Sequence, residues 1–248
     1  MTRIASEPCV VLHTRPYREN SLLLTVFSHD HGRVSMVARS ARGGKRGRIL
    51  QPFALLRAGW TGRGGLVTLT AFEVEKQHWY RGDALAAGFY VAELLMRLMP
   101  ERESHPRLFA ALRWVLDHLE SDLEGALRRF EMILLEELGY ALDFQHEATD
   151  GRPLAAEVNY QFDPDVGFSR TTAARSYSGA VLLAIGRGDF TDPGVRRSAR
   201  RLLRRALAAH LGPAPLLSRR LLAGMRRRAP SGVNAPADLE PPPPPLNQ

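Results

Sequence analysis

The chain has 248 residues, 44% of them apolar, with a formal net charge of +8. That is enough apolar content for one large domain or two small ones, but no uninterrupted run approaches the ~18–20 residues that a membrane span needs. The charge points to an anionic partner, and a single cysteine, Cys9, excludes an internal disulfide and a cysteine-rich zinc site.

Residues 9–12 form a short apolar run and a first candidate strand, which Pro16 interrupts. Two stronger candidates follow at 22–27 and 33–39. Leu22, Leu24 and Val26 alternate with Leu23, Thr25 and Phe27; Val34, Met36 and Ala38 alternate with Ser35, Val37 and Arg39. A period of two in β-branched and apolar residues predicts strands. Between them, Ser28-His29-Asp30-His31-Gly32 is polar and ends in glycine, which suits a hairpin. The sequence places no third ligand beside His29 and His31, so this run reads as turn chemistry. Residues 53–60, entered after Pro52, and 66–75 predict two more strands around the glycine-rich turn 61–65. Five short strands in about eighty residues fit a small closed barrel, of OB or SH3-like type.

At Gly82 the period changes to that of a helix. Leu85, Phe89, Ala92, Met96 and Met99 define one face, ending at Pro100. Pro106 opens the next helix, with Leu108, Leu112, Val115 and Leu119 as its stripe. Ser121 followed by Glu124 is a capping-box pattern for a third, with Leu127, Phe130, Leu134 and Leu138 inward and Gly139 as the stop. Residues 155–170 read as a hairpin insert. Helix signals return at 179–185, and Asp192-Pro193 opens an amphipathic helix. Its apolar side is Val195, Ala199, Leu202, Leu203, Ala206 and Leu207, and its other side carries six arginines from Arg196 to Arg205. A last short helix is expected near 217–225. The expected organisation is a barrel at 1–80, a helical domain at 81–228 and a disordered proline-rich tail at 229–248.

Arg39, Arg42, Lys45, Arg46 and Arg48 fall in one glycine-punctuated stretch with no acid between them. A basic loop beside a small barrel is a device for gripping single-stranded nucleic acid by its phosphates. Arg15 and Arg18 flank Tyr17, a candidate for stacking on bases, whereas Phe27 and Phe53 read as core. Lys45 and Lys76 are the only lysines. That bias suits bidentate phosphate contacts and equally suits a GC-rich genome. Gly43-Gly44-Lys45 lacks the frame of a phosphate-hydrolysing loop, and no nucleophile–base–orienter set is visible.

The order Arg15-Pro16-Tyr17, Glu19 and Ser21, then Gly32-Arg33-Val34, Ala38-Arg39, Ala41-Arg42 and Leu50-Gln51-Pro52-Phe53, resembles the N-terminal part of the bacterial RecO recombination mediators. The resemblance continues through residues 126–131 and Leu138-Gly139-Tyr140, up to about Arg228. It implies an α+β fold: an N-terminal five-stranded OB-fold barrel followed by a mainly α-helical domain with a small β-hairpin. Many members carry four zinc-binding cysteines near the hairpin; this chain has none there and resembles the zinc-free branch, so no metal and no cofactor are expected.

The implied function is that of a mediator in DNA repair and not of an enzyme. Such a protein binds single- and double-stranded DNA, anneals complementary strands, engages RecR and helps load RecA onto DNA coated by single-stranded DNA-binding protein. The DNA-binding candidates are then Arg15, Tyr17, Arg33, Arg39, Arg42, Lys45, Arg46 and Arg48, with Arg197, Arg201 and Arg204 on the last amphipathic helix. Arg128 and Arg129 are the candidates for the acidic tail of single-stranded DNA-binding protein. No signal peptide is apparent, and a cytoplasmic, nucleoid-associated bacterial protein is expected. The competing class is an OB-fold RNA-binding module associated with ribosomes.

Overall fold

A computed structural model describes residues 2–218. The expected last helix at 217–225, the expected domain end at Arg228 and the proline-rich tail lie largely or wholly outside them.

The first five strands are β1 (Thr2–Tyr17), β2 (Ser21–Ser28), β3 (Gly32–Ala38), β4 (Ala54–Gly62) and β5 (Leu66–Gln77), with a short helix α1 (Gly44–Ile49) between β3 and β4. They close into a barrel in the order β1-β2-β3-β5-β4. All pairings are antiparallel except β3 with β5. This is the OB arrangement. Alternation does the sorting: Leu22, Leu24, Val26, Val34, Met36 and Ala38 point into the barrel with Cys9, Val11, Trp60, Val67 and Leu69.

β1 is far longer than its apolar run suggests, because it passes through both Pro8 and Pro16. Neither proline lies where β1 pairs in register with both neighbouring strands, although the Pro8 carbonyl accepts from the His29 N–H at 3.1 Å just past the end of β2. Pro8 faces Arg57 of β4 before pairing with β2 begins at Cys9, and Pro16 faces Leu22 after pairing with β4 has ended at Val10. A missing N–H is tolerated where the strand has one neighbour. The segment read as an open basic loop contains α1.

The helices are α2 (Gly82–Leu98), α3 (Pro106–His118), α4 (Leu123–Glu137), α5 (Gly179–Gly186) and α6 (Pro193–His210). Between α4 and α5 lies a sheet of order β7-β6-β8, made of β6 (Asn159–Asp163), β7 (Gly167–Arg170) and the unforeseen β8 (Tyr177–Ser178). α2 differs from its expected stripe. Ala87, Val91, Leu94 and Leu95 are more deeply buried than Leu85, Phe89 and Met96, because the helix is covered by the barrel on one side and by α4 on the other. Gly88 permits this approach: a Cβ there would lie 2.9 Å from the Phe53 ring. α4 is capped by Asp122, whose carboxylate accepts from the Gly125 N–H at 3.2 Å, and not by the expected Ser121. Gly139, at φ +81°, ends α4 as expected.

The outer side of the barrel and the helices share one core. Val10, Leu12, Phe27, Phe53 and Leu55 leave the barrel to join Val91, Leu95, Phe109 and Phe130. The residues linking α2 to α3 lock this seat: the Arg102 N–H donates to the Arg33 carbonyl at 3.0 Å and Ser104 Oγ to the His29 carbonyl at 3.1 Å.

Candidate nucleic-acid interface

Strand register places the cationic residues. On the outer side of the barrel, Arg15 pairs with Leu23, Leu23 with Val37, and Val37 with Thr68, which makes one cross-strand row. The next row runs His13, Thr25, Ser35, Leu66. Helices cover Phe27 on β2, but Leu23, Thr25, Ser35 and Val37 are partly open and Leu66 is 43% exposed. The result is a shallow, mildly apolar face. Arg15, Tyr17 and Arg39 lie at its β1–β2 end, where Tyr17 pairs with Ser21 and Arg39 follows directly on β3.

The segment after β3 is fastened to that end. The Arg42 N–H donates to the Asn20 carbonyl at 3.1 Å, and its guanidinium donates to the carbonyls of Arg18 and Glu19 at 3.3 and 3.2 Å. Thr14 Oγ1 donates to the Leu50 carbonyl at 2.8 Å. α1 therefore sits beside the β1–β2 turn with Lys45, Arg46 and Arg48 exposed. Arg46 lies over the Phe72 ring, 5.4 Å from its centre. Among the described residues, Arg15, Arg39, Lys45 and Arg48 meet no carboxylate and no hydrogen-bond partner. They form a rim of positive charge at one end of an OB barrel.

Arg33 is placed elsewhere. It is the second residue of β3, roughly 20 Å along the strand from Arg39. Its Nε donates to the Met99 carbonyl at 3.2 Å and its guanidinium lies 3.4 Å from Glu101. It serves the junction between barrel and helices. The turn before it behaves as turn chemistry: Glu7, only 5% exposed, accepts from Ser28 Oγ at 2.8 Å and from the Asp30 N–H at 2.6 Å. Glu7 is the acid that sequence could not place near His29, and these hydrogen bonds account for its position.

The two arginines assigned to an acidic tail face different surroundings. Arg128 is buried, with its guanidinium 2.9 Å from Glu131, which also accepts from the Tyr90 hydroxyl at 2.7 Å. Arg129 is 39% exposed at its side chain and 3.4 Å from Asp122. Its guanidinium lies 5.5 Å from the centres of both Trp114 and Phe190 and donates to the Gly188 carbonyl at 3.2 Å. One turn further along α4, a cleft of about 270 Å³ is lined by Met132, Leu142, Phe144 and Arg187, with the carboxylates Glu136 and Asp143 also on its wall.

On α6, Arg197 and Arg204 are exposed and Arg201 lies over the Tyr177 ring at 4.3 Å, donating to the Ser176 carbonyl at 2.9 Å.

Comparison with known proteins follows this division of the chain. The family model "Recombination protein O N terminal" matches residues 1–78, and "Recombination protein O C terminal" matches residues 80–220. The chain belongs to the recombination protein O family. A relative named "DNA repair protein RecO" from Cellvibrio japonicus is 40% identical over 230 residues, covering 88% of this chain and 97% of its own length. A relative of the same name from Halorhodospira halophila is 39% identical over 91% of this chain and 100% of its own length, and one from Pseudomonas putida 40% identical over 89% and 98%.

The only cysteine of this RecO-family chain, Cys9, lies inside the barrel, so the region of the small hairpin carries none. Side-chain packing and ion pairs occupy that region, and the pair with the most buried carboxylate is Glu147 with Arg170. Phe168 lies 5.6 Å from Phe144 and 5.3 Å from Phe162, ring centre to ring centre. Glu147, 4% exposed, accepts from Arg170 Nε at 2.7 Å and from the Tyr160 hydroxyl at 3.4 Å. No described helix is long and apolar enough to cross a membrane.

Proposed function

We propose that the chain is a recombination mediator in DNA repair, which binds single- and double-stranded DNA by its phosphates and anneals complementary strands. The observation that carries this reading is the rim at one end of an OB barrel, where Arg15, Arg39, Lys45 and Arg48 have no internal partner among the described residues. Cations held against a shallow face lower the repulsion between two phosphate backbones without covalent chemistry. Leu23, Val37 and Tyr17 offer apolar and aromatic surface against which bases can lie.

Family membership supports the wider role: engagement of RecR, loading of RecA onto DNA coated by single-stranded DNA-binding protein, and work at the bacterial nucleoid in the cytoplasm. For the acidic tail of that coating protein, half-exposed Arg129 is the contact and buried Arg128 supports it from within. The cleft one turn further along α4 offers the apolar surface of Met132, Leu142 and Phe144 for an aromatic end, while Glu136 and Asp143 on its wall leave the contact with carboxylates to Arg129.

The test is annealing of complementary oligonucleotides coated by single-stranded DNA-binding protein. A mediator accelerates it, whereas a ribosome-associated RNA-binding module prefers structured RNA and leaves coated DNA unpaired.

A further inference from the structure

A concavity of about 370 Å³ lies between the residues that follow α4 and the turn joining β6 to β7. Its carboxylates are Asp143, Glu147 and Asp165, and no lysine or arginine lines it, although the chain has a net charge of +8. The three acids stand in different settings. Glu147 is buried and paired with Arg170 at 2.7 Å. The Asp143 side chain is 60% exposed and lies 3.1 Å from His146 Nδ1. Asp165 is exposed at the turn, and its carboxylate meets no cation and no hydrogen-bond donor among the described residues. The arginines nearby are engaged, Arg170 with Glu147 and Arg205 over the Phe162 ring at 5.9 Å.

The lips of the concavity are apolar. Val166, in the turn, is 64% exposed, and Tyr140, just after α4, is 51% exposed. The buried rings of Phe162 and Phe168 back it. Single exposed apolar residues are ordinary, but aliphatic and aromatic side chains gathered round one hollow mark an interaction site. Its walls are set before a ligand arrives: the Ala148 N–H donates to the Phe168 carbonyl at 2.8 Å, and Tyr140 stacks on His210 at 3.7 Å.

Charge selects the occupant. Free carboxylates repel phosphate, so this is not a nucleic-acid surface. A metal ion does not fit: among the described residues, no three of these acids and His146 bring ligand atoms within 4.8 Å of one another. The cation that fits is larger, a guanidinium or ammonium carried between apolar groups that rest on Val166 and Tyr140.

We infer that this concavity docks a basic segment of a partner protein, with an arginine or lysine at Asp165 and Asp143 and an apolar neighbour on Val166 and Tyr140. The inference goes beyond the DNA binding proposed above and does not depend on it. No barrel residue lines the concavity, so the partner leaves the rim free for a strand.

The experiment uses the full chain and a short fluorescein-labelled peptide in which arginine alternates with leucine, followed by anisotropy at low salt. Leu142 and Asp143 also line the cleft beside α4, whereas Asp165 and Val166 line this concavity and not that cleft, so these two are changed. The expected result is saturable binding of one peptide per chain. Asp165→Lys should weaken it about tenfold, and Asp165→Asn should act in the same direction to a smaller extent. Val166→Ser should weaken it about threefold. Single-strand affinity should stay within about twofold of the parent in all three variants, since the rim is untouched. No binding to the unaltered chain, or parent-like peptide affinity in both Asp165→Lys and Val166→Ser, overturns the inference. Displacement of the peptide by an equal concentration of spermidine assigns the hollow to polyamines and overturns it too. So does self-association of the unaltered chain that Asp165→Lys abolishes, because the occupant is then a second copy.

Discussion

Arg128 and Glu131, one turn apart on α4, form an ion pair of 2.9 Å with side-chain exposures of 6% and 1%. In sequence the two residues look like an ordinary surface pair at helical spacing. Burial changes the consequence: removing one partner strands the other charge away from water. Arg128→Ala should cost about 3 kcal/mol of stability in urea unfolding. Arg129→Ala, at a half-exposed site, should cost less than about 1 kcal/mol. An Arg128→Ala protein as stable as the parent would show that the pair does not support the helical core.

Gly32 sits at φ +58°, and a Cβ there would lie 1.8 Å from the Glu103 carbonyl oxygen. Gly32→Ala should therefore push the α2–α3 link off the barrel and cost at least about 2 kcal/mol. Gly64 is the control, with φ +76° and no atom within 4 Å of the added Cβ. Gly64→Ala should cost only about 1 kcal/mol of backbone strain. Equal melting temperatures for the two variants would contradict the locked junction.

Tyr17 is half-buried at the rim, with the Arg18 guanidinium 5.3 Å from its ring centre. Tyr17→Ala should weaken single-strand binding by about 1–3 kcal/mol, and Tyr17→Phe should leave it nearly unchanged. A loss of the same size in both variants would assign the effect to the hydroxyl and not to stacking.

The Glu93 carboxylate fastens the end of the described chain. It accepts from Ser218 Oγ at 2.6 Å and from the Leu217 and Ser218 N–H groups at 2.9 Å each. Burial alone would raise its pKa, but these hydrogen bonds, with Arg97 nearby, outweigh burial and hold it below the ordinary value of 4.5. A depressed folded pKa means that the attachment is fully present above the ordinary carboxylate range and is lost as pH falls through the lowered value. Hydrogen exchange at the Ser218 amide should accelerate, relative to its intrinsic rate, below pH 4.5 and be steady from there to neutrality. In Glu93→Gln protection should be weak throughout and without this acid step.

What could be read from sequence followed from local pattern. Leu22–Leu24–Val26 and Val34–Met36–Ala38 alternate in sequence and all face the barrel interior. Phe27 and Phe53 are core, as their setting suggested. Prolines normally end strands, which hides the length of β1; only the sheet order shows that Pro8 precedes the pairing with β2 and that Pro16 follows the pairing with β4. Gly43, Gly44 and Gly47 weaken any helix signal and so hide α1 in the sequence. Asp122 displaced Ser121 as the cap because the helix begins one residue later than the pattern implied. Arg33 and Arg128 were beyond reach for another reason. Their partners, Met99, Glu101 and the surrounding core, are set by tertiary packing that residue type does not encode locally.

The central claim is that the rim beside the barrel grips nucleic acid by its phosphates, and its most direct test is fluorescence anisotropy of a labelled single strand titrated at several salt concentrations. For about six contacts, log affinity should fall with log salt at a slope near −4, and Arg39→Glu with Arg48→Glu should weaken binding by about tenfold or more and make the slope shallower by about 1.4. Unchanged affinity and an unchanged slope in that variant would contradict the claim.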